Sequence, residues 1–334
     1  MNETGTSAKL GFVVIGRNEG ERLARCLASL QAAGAPIAYA DSASTDDSLR
    51  VARAAGAIAV EVDPAMPMNA ARGRNAGLIA LRQSHPGLEF VQFIDGDCEL
   101  QSGWVQAAAE FLHGHPRAAV ACGRRFEKYP EASPYNRLCD EEWNTPIGLA
   151  PACGGDAMFR LSAFDQTGLF DPTLMAGEEP ELCTRLRALG WEIWRLDAPM
   201  TRHDAAMTRL GQWTRRAYRS GYGYAQAWLR TRGRADRLYG AQLRSALLWA
   251  GVIPLAVLLV ATLSRQLAVV LAIPVIYALQ LGRIAMRHGL FQSWSWRYAA
   301  LMLIAKFPEL LGALNFALRR GHSASIEYKK MPKS

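Results

Sequence analysis

The residues best placed to do chemistry are two carboxylates one position apart, Asp95 and Asp97, in the run Phe93-Ile94-Asp95-Gly96-Asp97. A turn directly after an apolar strand can aim both side chains at one hard divalent cation and the phosphates it carries, because such cations take oxygen ligands. The same three residues also make an ordinary turn, so the pair gains its meaning from its company. That company is ordered along the chain: Arg17-Asn18-Glu19 follows one apolar run, and Asp41-Ser42-Ala43-Ser44-Thr45-Asp46 follows a second. Arg74-Asn75-Ala76-Gly77 stands inside a helical pattern between the second run and the carboxylate pair.

Positioning such groups needs a scaffold, and the first 120 residues supply one by alternating short apolar runs with amphipathic stretches. Strands are expected at Gly11 to Ile15, Ile37 to Ala40, Ala57 to Val62 and Phe90 to Ile94. Helices are expected at Glu21 to Ala32, with Leu23, Leu27 and Leu30 on one face, at Ser48 to Ala55 behind the capping run Ser44-Thr45-Asp46-Asp47, and at Ala70 to Gln83. The fold class this implies is α/β, a mostly parallel sheet with helices on both faces. Ligands bind such sheets beyond the carboxyl ends of the strands, which is where Arg17, Glu19, Asp41, Asp95 and Asp97 all fall. Past residue 120 glycine and proline interrupt the periodicity until Glu179 to Leu189, a further amphipathic helix.

Taken together, the ordered motifs resemble family 2 glycosyltransferases of the GT-A fold, over roughly residues 10 to 225. The match continues through Gly154-Gly155-Asp156-Ala157-Met158-Phe159-Arg160, which resembles that family's acceptor loop. It extends to Phe170-Asp171 and Gly177-Glu178-Glu179-Pro180-Glu181-Leu182, which resemble its Gly-Glu-Asp segment. The resemblance implies that Asp41 contacts the nucleobase, that Arg17 and Glu19 begin the nucleoside pocket, and that Arg74 lies near the diphosphate. It makes Asp97 a metal ligand, Asp95 its companion near ribose and metal, and His203 a further metal or diphosphate group; a surface histidine after a strand is the plainer reading of His203. Glu179 stands where the family usually has a catalytic aspartate. A glutamate can serve as general base, but Glu178 is its neighbour, and both also suit the N-terminal charge of a helix. Gln212-Trp213-Thr214-Arg215-Arg216 resembles the Gln-x-x-Arg-Trp element of processive synthases with arginine in the last place. Arg215 and Arg216 suit a donor diphosphate and anionic lipid headgroups equally. The cofactor implied is Mn2+ or Mg2+, and the partner is a nucleotide-sugar donor.

Half of the 334 residues are hydrophobic, and the apolar ones are not evenly spread. Residues 245 to 282 hold one charged residue, Arg265, which predicts a hairpin of helices at about 245–263 and 267–284. A third apolar stretch at 298–318 contains Lys306, Pro308 and Glu309, so it either spans or lies in the interface, where Trp294 and Trp296 suit the headgroup level. The expected organisation is a catalytic domain over 1–240 and a membrane region over 241–334. A net charge of +8 fits nucleic acid, anionic lipid or a phosphate-bearing substrate. Its placement says more. Arg215, Arg216, Arg219, Arg230, Arg232, Arg234, Arg237 and Arg244 precede the first apolar segment, and Arg319, Arg320, Lys329, Lys330 and Lys333 follow the last. That asymmetry predicts a multi-pass protein of the inner, cytoplasmic membrane with its catalytic domain in the cytoplasm. The polar start, Met1 to Lys9, has no secretory signal pattern. Cys26, Cys98, Cys122, Cys139, Cys153 and Cys183 show no C-x-x-C pair, so reduced thiols are expected rather than a disulfide framework or a structural zinc site.

Short hairpins lack the helices of an export channel, so the resemblance implies transfer of single sugars to a lipid-linked or membrane-near acceptor, as in cell-envelope polysaccharide or glycolipid synthesis. Membrane lipids are expected partners, and nucleic acid is not. Three rivals meet specific objections. A nucleotidyltransferase would show a glycine-rich, lysine-bearing loop after the first strand, and Gly16-Arg17-Asn18-Glu19-Gly20 is not one. A dinucleotide-binding dehydrogenase would need G-x-G-x-x-G there. A transferase-like membrane scaffold without activity draws its support from Glu179 alone.

Overall fold

The computed structural model describes residues 9–319, which divide into two units. Arg320, Lys329, Lys330 and Lys333 lie outside the described residues, as do residues 1–8.

The first unit comprises the chain up to Pro130 together with Cys139–Ala206. Its elements run β1 (Leu10–Gly16), α1 (Glu21–Gln31), β2 (Ile37–Asp41), α2 (Ser48–Ala54), β3 (Ile58–Glu61), α3 (Ala70–Ser84), β4 (Phe90–Asp95), β5 (Cys98–Leu100), α4 (Trp104–Gly114) and β6 (Ala118–Glu127). They continue with α5 (Pro134–Glu142), whose first turns belong to the second unit, then β7 (Gly148–Leu149), β8 (Ala157–Arg160), α6 (Leu161–Thr167), α7 (Glu178–Ala188) and β9 (Glu192–His203). All nine strands share one sheet, in the order β3-β2-β1-β4-β8-β6-β9-β5, with β7 paired to β9.

The first four strands pair in parallel, as their alternation with helices requires. The other half is mixed: β8 runs antiparallel to both β4 and β6, β9 is parallel to β6, and β5 and β7 are antiparallel to β9. This half is hard to see in sequence. β6 opens on Ala118-Ala119-Val120-Ala121-Cys122, buried throughout, so it shows no period of two to mark it.

Buried Phe93, Phe159, Phe164 and Phe170 pack on one another with ring centroids 5.3 to 6.1 Å apart, which joins β4 to β8, α6 and the segment before α7. Each such ring contributes about 2 kcal/mol by leaving water. Close approach also matters. A Cβ on Gly77 would fall 2.6 Å from Val13 Cγ1, so glycine there lets α3 lie against the sheet. Asn75, two residues earlier, trades hydrogen bonds with the Phe170 backbone in both directions, at 2.8 and 3.1 Å, and so fixes the approach to α7.

The second unit comprises Glu131–Leu138 and the chain from Met207 onward. It begins with α8 (Leu210–Thr231), followed by α9 (Gly240–Leu247), a π-helical turn at Leu248–Val252 and α10 (Ile253–Ser264). A 3₁₀ turn at Leu267–Leu271 leads into α11 (Ala272–His288), and α12 (Ser293–Ile304) and α13 (Lys306–Arg319) complete it. Three runs are long and apolar enough to cross a membrane: Gly240–Ser264, Leu267–His288 and Ser293–Arg319. All three exceed the lengths read from sequence, because the helices run on past the apolar cores, chiefly through Gly240–Arg244 before the first, Ala285–His288 after the second and Ser293–Arg297 before the third. Pro274 falls in the first turn of α11, where no N–H is needed, and so does not shorten it. Leu255, Leu259, Leu263, Leu271, Val275 and Leu279 are each more than half exposed, an apolar surface that water disfavours. The α8–α13 crossing is close: a Cβ on Gly221 would overlap the Glu309 backbone, and one on Gly312 would overlap the Tyr218 carbonyl. The division at Ala206 and Met207 puts α8 with the apolar helices, whereas the sequence suggests a boundary near residue 240.

Candidate active site

Register sets the site. Gly16 pairs with Asp41 and Ile15 with Asp95, so the loops after β1, β2 and β4 leave the sheet side by side. Asn18, at φ +54°, turns the first loop so that its backbone N–H donates to Ser44 Oγ at 2.9 Å while its side-chain oxygen accepts from the Thr45 N–H at 2.7 Å. Asp41 is buried, accepting from the Tyr39 hydroxyl at 2.9 Å and from the Ser44 N–H at 2.7 Å. Glu19 is buried against Arg22 at 2.6 Å, and the Arg17 backbone N–H reaches its other oxygen at 3.5 Å.

Asp95 lies at the centre of a charged network. Arg74 Nη2 donates to its Oδ1 at 3.0 Å and Arg125 Nη2 to its Oδ2 at 3.3 Å, while its own N–H donates to Asp156 Oδ1 at 2.9 Å. Asp156 is held in turn by the Thr201 hydroxyl at 2.7 Å and faces Arg125 Nε at 3.6 Å. Burial, then the charge of Asp156, raises the Asp95 carboxyl above its ordinary range, against the pull of Arg74 and Arg125. Its side chain stays 28% exposed, so the network is open to a ligand. Gly155 caps it: a Cβ there would stand 2.9 Å from Arg74 Nη2 and 3.1 Å from Asp95 Oδ2, and neighbouring Gly154 has φ +83°.

Asp97 and His203 form a separate cluster, brought together by the antiparallel pairing of Cys98 with His203. His203 Nε2 lies 3.4 Å from Asp97 Oδ1, and Nδ1 lies 3.3 Å from Glu127 Oε2, with the Trp143 ring edge-on at 4.7 Å. Burial and Arg125 oppose a charged imidazole, but Asp97 and Glu127 outweigh them and raise its pKa. Burial likewise opposes ionisation of Asp97, yet the charge and hydrogen bond of His203, with Arg125 and Arg22, hold its carboxyl well below the usual range. A carboxylate oxygen from the turn before β5 and an imidazole nitrogen from β9, the latter oriented from behind by Glu127, fit a divalent cation. The Cys98 thiol sits within 4.8 Å of both but points its proton at Asp97 Oδ1, at 3.8 Å. Asp95, committed to two arginines, stands outside this cluster.

The two glutamates at the start of α7 have different surroundings. Glu178 takes Arg74 Nη1 on its Oε1 at 2.5 Å and so joins the Asp95 network. Glu179 Oε1 accepts from the Cys153 N–H at 2.6 Å and from the Cys153 and Cys183 thiols at 3.0 Å each. Every hydrogen bond to Glu179 among the described residues falls on Oε1, which leaves Oε2 uncommitted. Burial raises its carboxyl above the ordinary range, against hydrogen bonds from both cysteines.

The first unit thus gathers Arg17, Glu19, Asp41, Arg74, Asp95, Asp97, Gly154, Gly155, Asp156, Glu178, Glu179 and His203 about the strand ends. Arg215 and Arg216 lie on α8 in the second unit, where Gln212 accepts from the Thr208 and Arg209 N–H groups at 2.9 Å and caps the helix. Sequence reading misses Arg125, Glu127 and Trp143. The available signal for the first two was a charged pair of positions in the strand that pairs with Thr201-Arg202-His203.

Residues 12–167 match the family model Glycosyl transferase family 2. No curated protein matches the chain in sequence. Among solved structures, the chain is similar to the mannosyltransferase PcManGT from Pyrobaculum calidifontis, in complex with GDP-Man and Mn2+. That likeness has a TM-score of 0.60 and 18% identity, over 91% of this chain and 87% of that one. It is also similar to TarS 1-349 from S. aureus, at a TM-score of 0.46 and 14% identity, over 92% of this chain and 91% of that one. Residues 12–167 run from β1 through α6 and carry Asp41, Asp95, Asp97 and Asp156, so the part of the chain that is similar to glycosyl transferase family 2 is the part that builds these strand-end loops.

Proposed function

We propose that the chain is an inverting glycosyltransferase that moves a sugar from a nucleoside-diphosphate sugar to a lipid-linked or membrane-near hydroxyl, in cell-envelope polysaccharide or glycolipid synthesis. The observation that carries this is the pairing of Asp97 with His203 at 3.4 Å beside Asp95, itself clasped by Arg74 and Arg125. Asp97 and His203 would hold Mn2+ or Mg2+, and the Mn2+ and GDP-Man in the mannosyltransferase support that choice. When bound, the cation supplies positive charge against the departing diphosphate. Arg74 and Arg125 add fixed positive charge, and Asp41, Arg17 and Glu19 frame the nucleoside.

Transfer forms a bond from the acceptor oxygen to the anomeric carbon as the bond to the diphosphate oxygen breaks. The hydroxyl proton goes to a carboxylate. Glu178 is committed to Arg74, whereas Glu179 keeps Oε2 uncommitted next to the Gly154-Gly155 loop, so Glu179 is the base and Glu178 positions Arg74.

The acceptor class is supported by the three apolar helices, the arginines before them, and a cavity of about 360 Å³ in the second unit. That cavity is lined by Arg287, His288 and Lys306 beside Trp249, Tyr298 and Met302, a mixture suited to a phosphate-headed lipid. The arginine excess before the first apolar helix supports a cytoplasmic position for the catalytic unit.

A thermal-shift screen of nucleotide sugars with and without Mn2+ tests the reading. A true donor at about a hundred times its Kd stabilises the native state by about 2.7 kcal/mol. If no nucleotide sugar shifts the transition in the presence of either cation, the donor assignment fails.

A further inference from the structure

The thiols around Glu179 form a cluster that sugar transfer does not use. Cys153 and Cys183 are 30 residues apart in the chain, yet their Sγ atoms lie 3.8 Å from each other and 3.0 Å each from Glu179 Oε1. Glu179 and Cys183 stand at i and i+4 on one face of α7, and Cys153 reaches them from the segment just before Gly154. All three side chains are buried, and their ligand atoms fall within 4.8 Å of one another. Two thiolates bound at about 2.3 Å with tetrahedral angles have sulfurs about 3.8 Å apart, so the cysteines already hold the spacing of a zinc-class site.

We propose that Cys153, Cys183 and Glu179 form a second cation site, for a soft divalent ion of the zinc class, and that filling it stops sugar transfer. The inhibitory half rests on Glu179 being the base. Binding replaces two S–H protons, released to solvent, with two metal–sulfur bonds and places the cation on Glu179 Oε1. The carboxylate then no longer takes a proton from the acceptor. Selectivity follows from ligand softness: thiolates favour zinc-class ions, whereas Mn2+ and Mg2+ prefer the carboxylate and imidazole of Asp97 and His203.

The test uses full-length protein in detergent with saturating Mg2+, and Co2+ as the spectroscopic probe. The expected result is one Co2+ per chain with the visible absorption of tetrahedral thiolate coordination, displaced by Zn2+. The band is lost in Cys183→Ser and in Cys153→Ser and retained in Cys139→Ser. Zn2+ should lower wild-type turnover at least tenfold and leave the residual turnover of Cys183→Ser unaffected. Absence of the band, or its persistence in both serine variants, overturns the cation site; a filled site with undiminished turnover overturns the inhibition. The base assignment fails separately, if Glu179→Gln turns over at the wild-type rate.

Discussion

His203 Nε2 faces Asp97 Oδ1 across 3.4 Å while its Nδ1 faces Glu127 Oε2 across 3.3 Å, so one imidazole is held between two carboxylates, one from the β4–β5 turn and one from β6. If Asp97 and His203 hold the cation, Asp97→Ala abolishes metal-dependent nucleotide binding, because the remaining nitrogen alone cannot replace a carboxylate. Glu127→Gln keeps the geometry but weakens the orienting bond, which costs roughly tenfold in metal affinity. Calorimetric titration with nucleotide and Mn2+ reads both. Unchanged affinity in Asp97→Ala would remove that residue from the site.

Gly155→Ala puts a methyl 2.9 Å from Arg74 Nη2 and 3.1 Å from Asp95 Oδ2. The backbone φ is permissive there, so the expected effect is displacement of the Arg74–Asp95 pair with the fold retained. Turnover should drop by tenfold or more with an unchanged circular-dichroism spectrum, and a fully active variant would show that the pair is not required.

Glu179→Gln should lower turnover by roughly a hundredfold with donor affinity near wild type, the scale of a lost general base. The same variant carries a stability signature. Burial raises the Glu179 carboxyl in the folded state above its unfolded value of roughly 4.3, so the native protein keeps a proton that the unfolded chain has released. Wild-type stability therefore falls as pH rises from that unfolded value through the elevated folded one, while the uncharged glutamine is indifferent. The Tm advantage of Glu179→Gln is expected to be absent near pH 4 and to grow towards pH 8. A constant difference in Tm at all pH values would contradict it, and Glu178→Gln provides the comparison for turnover.

A truncation after Ala206 is expected to give a soluble domain that binds nucleotide, since the sheet and its strand-end carboxylates precede that point. It removes Met207, whose N–H and carbonyl are bonded to Asn136 and Ser133 at 3.1 and 2.6 Å, so substitution of polar residues within 131–138 should improve its yield. Loss of nucleotide binding in every soluble truncation would tie the donor site to the second unit.

Gly312→Leu inserts a side chain where a single Cβ already overlaps the Tyr218 carbonyl. The α8–α13 crossing should open, lowering the Tm in detergent by several degrees, and Gly282→Leu, at a position with no neighbour within 4 Å, should not.

Local sequence determined the parallel half of the fold, because each of β1 to β4 is a short apolar run bounded by an amphipathic helix. It also put Arg17, Glu19, Asp41 and Asp95 at strand ends, and the apolar helices stood out because their length has no other use in water. What the sequence could not state is which side chains meet. Asp97 and His203 are 106 positions apart and come together only because β5 pairs with β9. Glu178 and Glu179 differ in their surroundings because Arg74 from α3 claims one and Cys153 claims the other. The cysteines carry no spacing signal, so sequence leaves them as scattered thiols, and the fold alone brings Cys153 and Cys183 to a shared carboxylate. Periodicity reports how a segment faces water, which is a local property; partners across a sheet are set by strand order and register, and those are decided by packing of the whole chain.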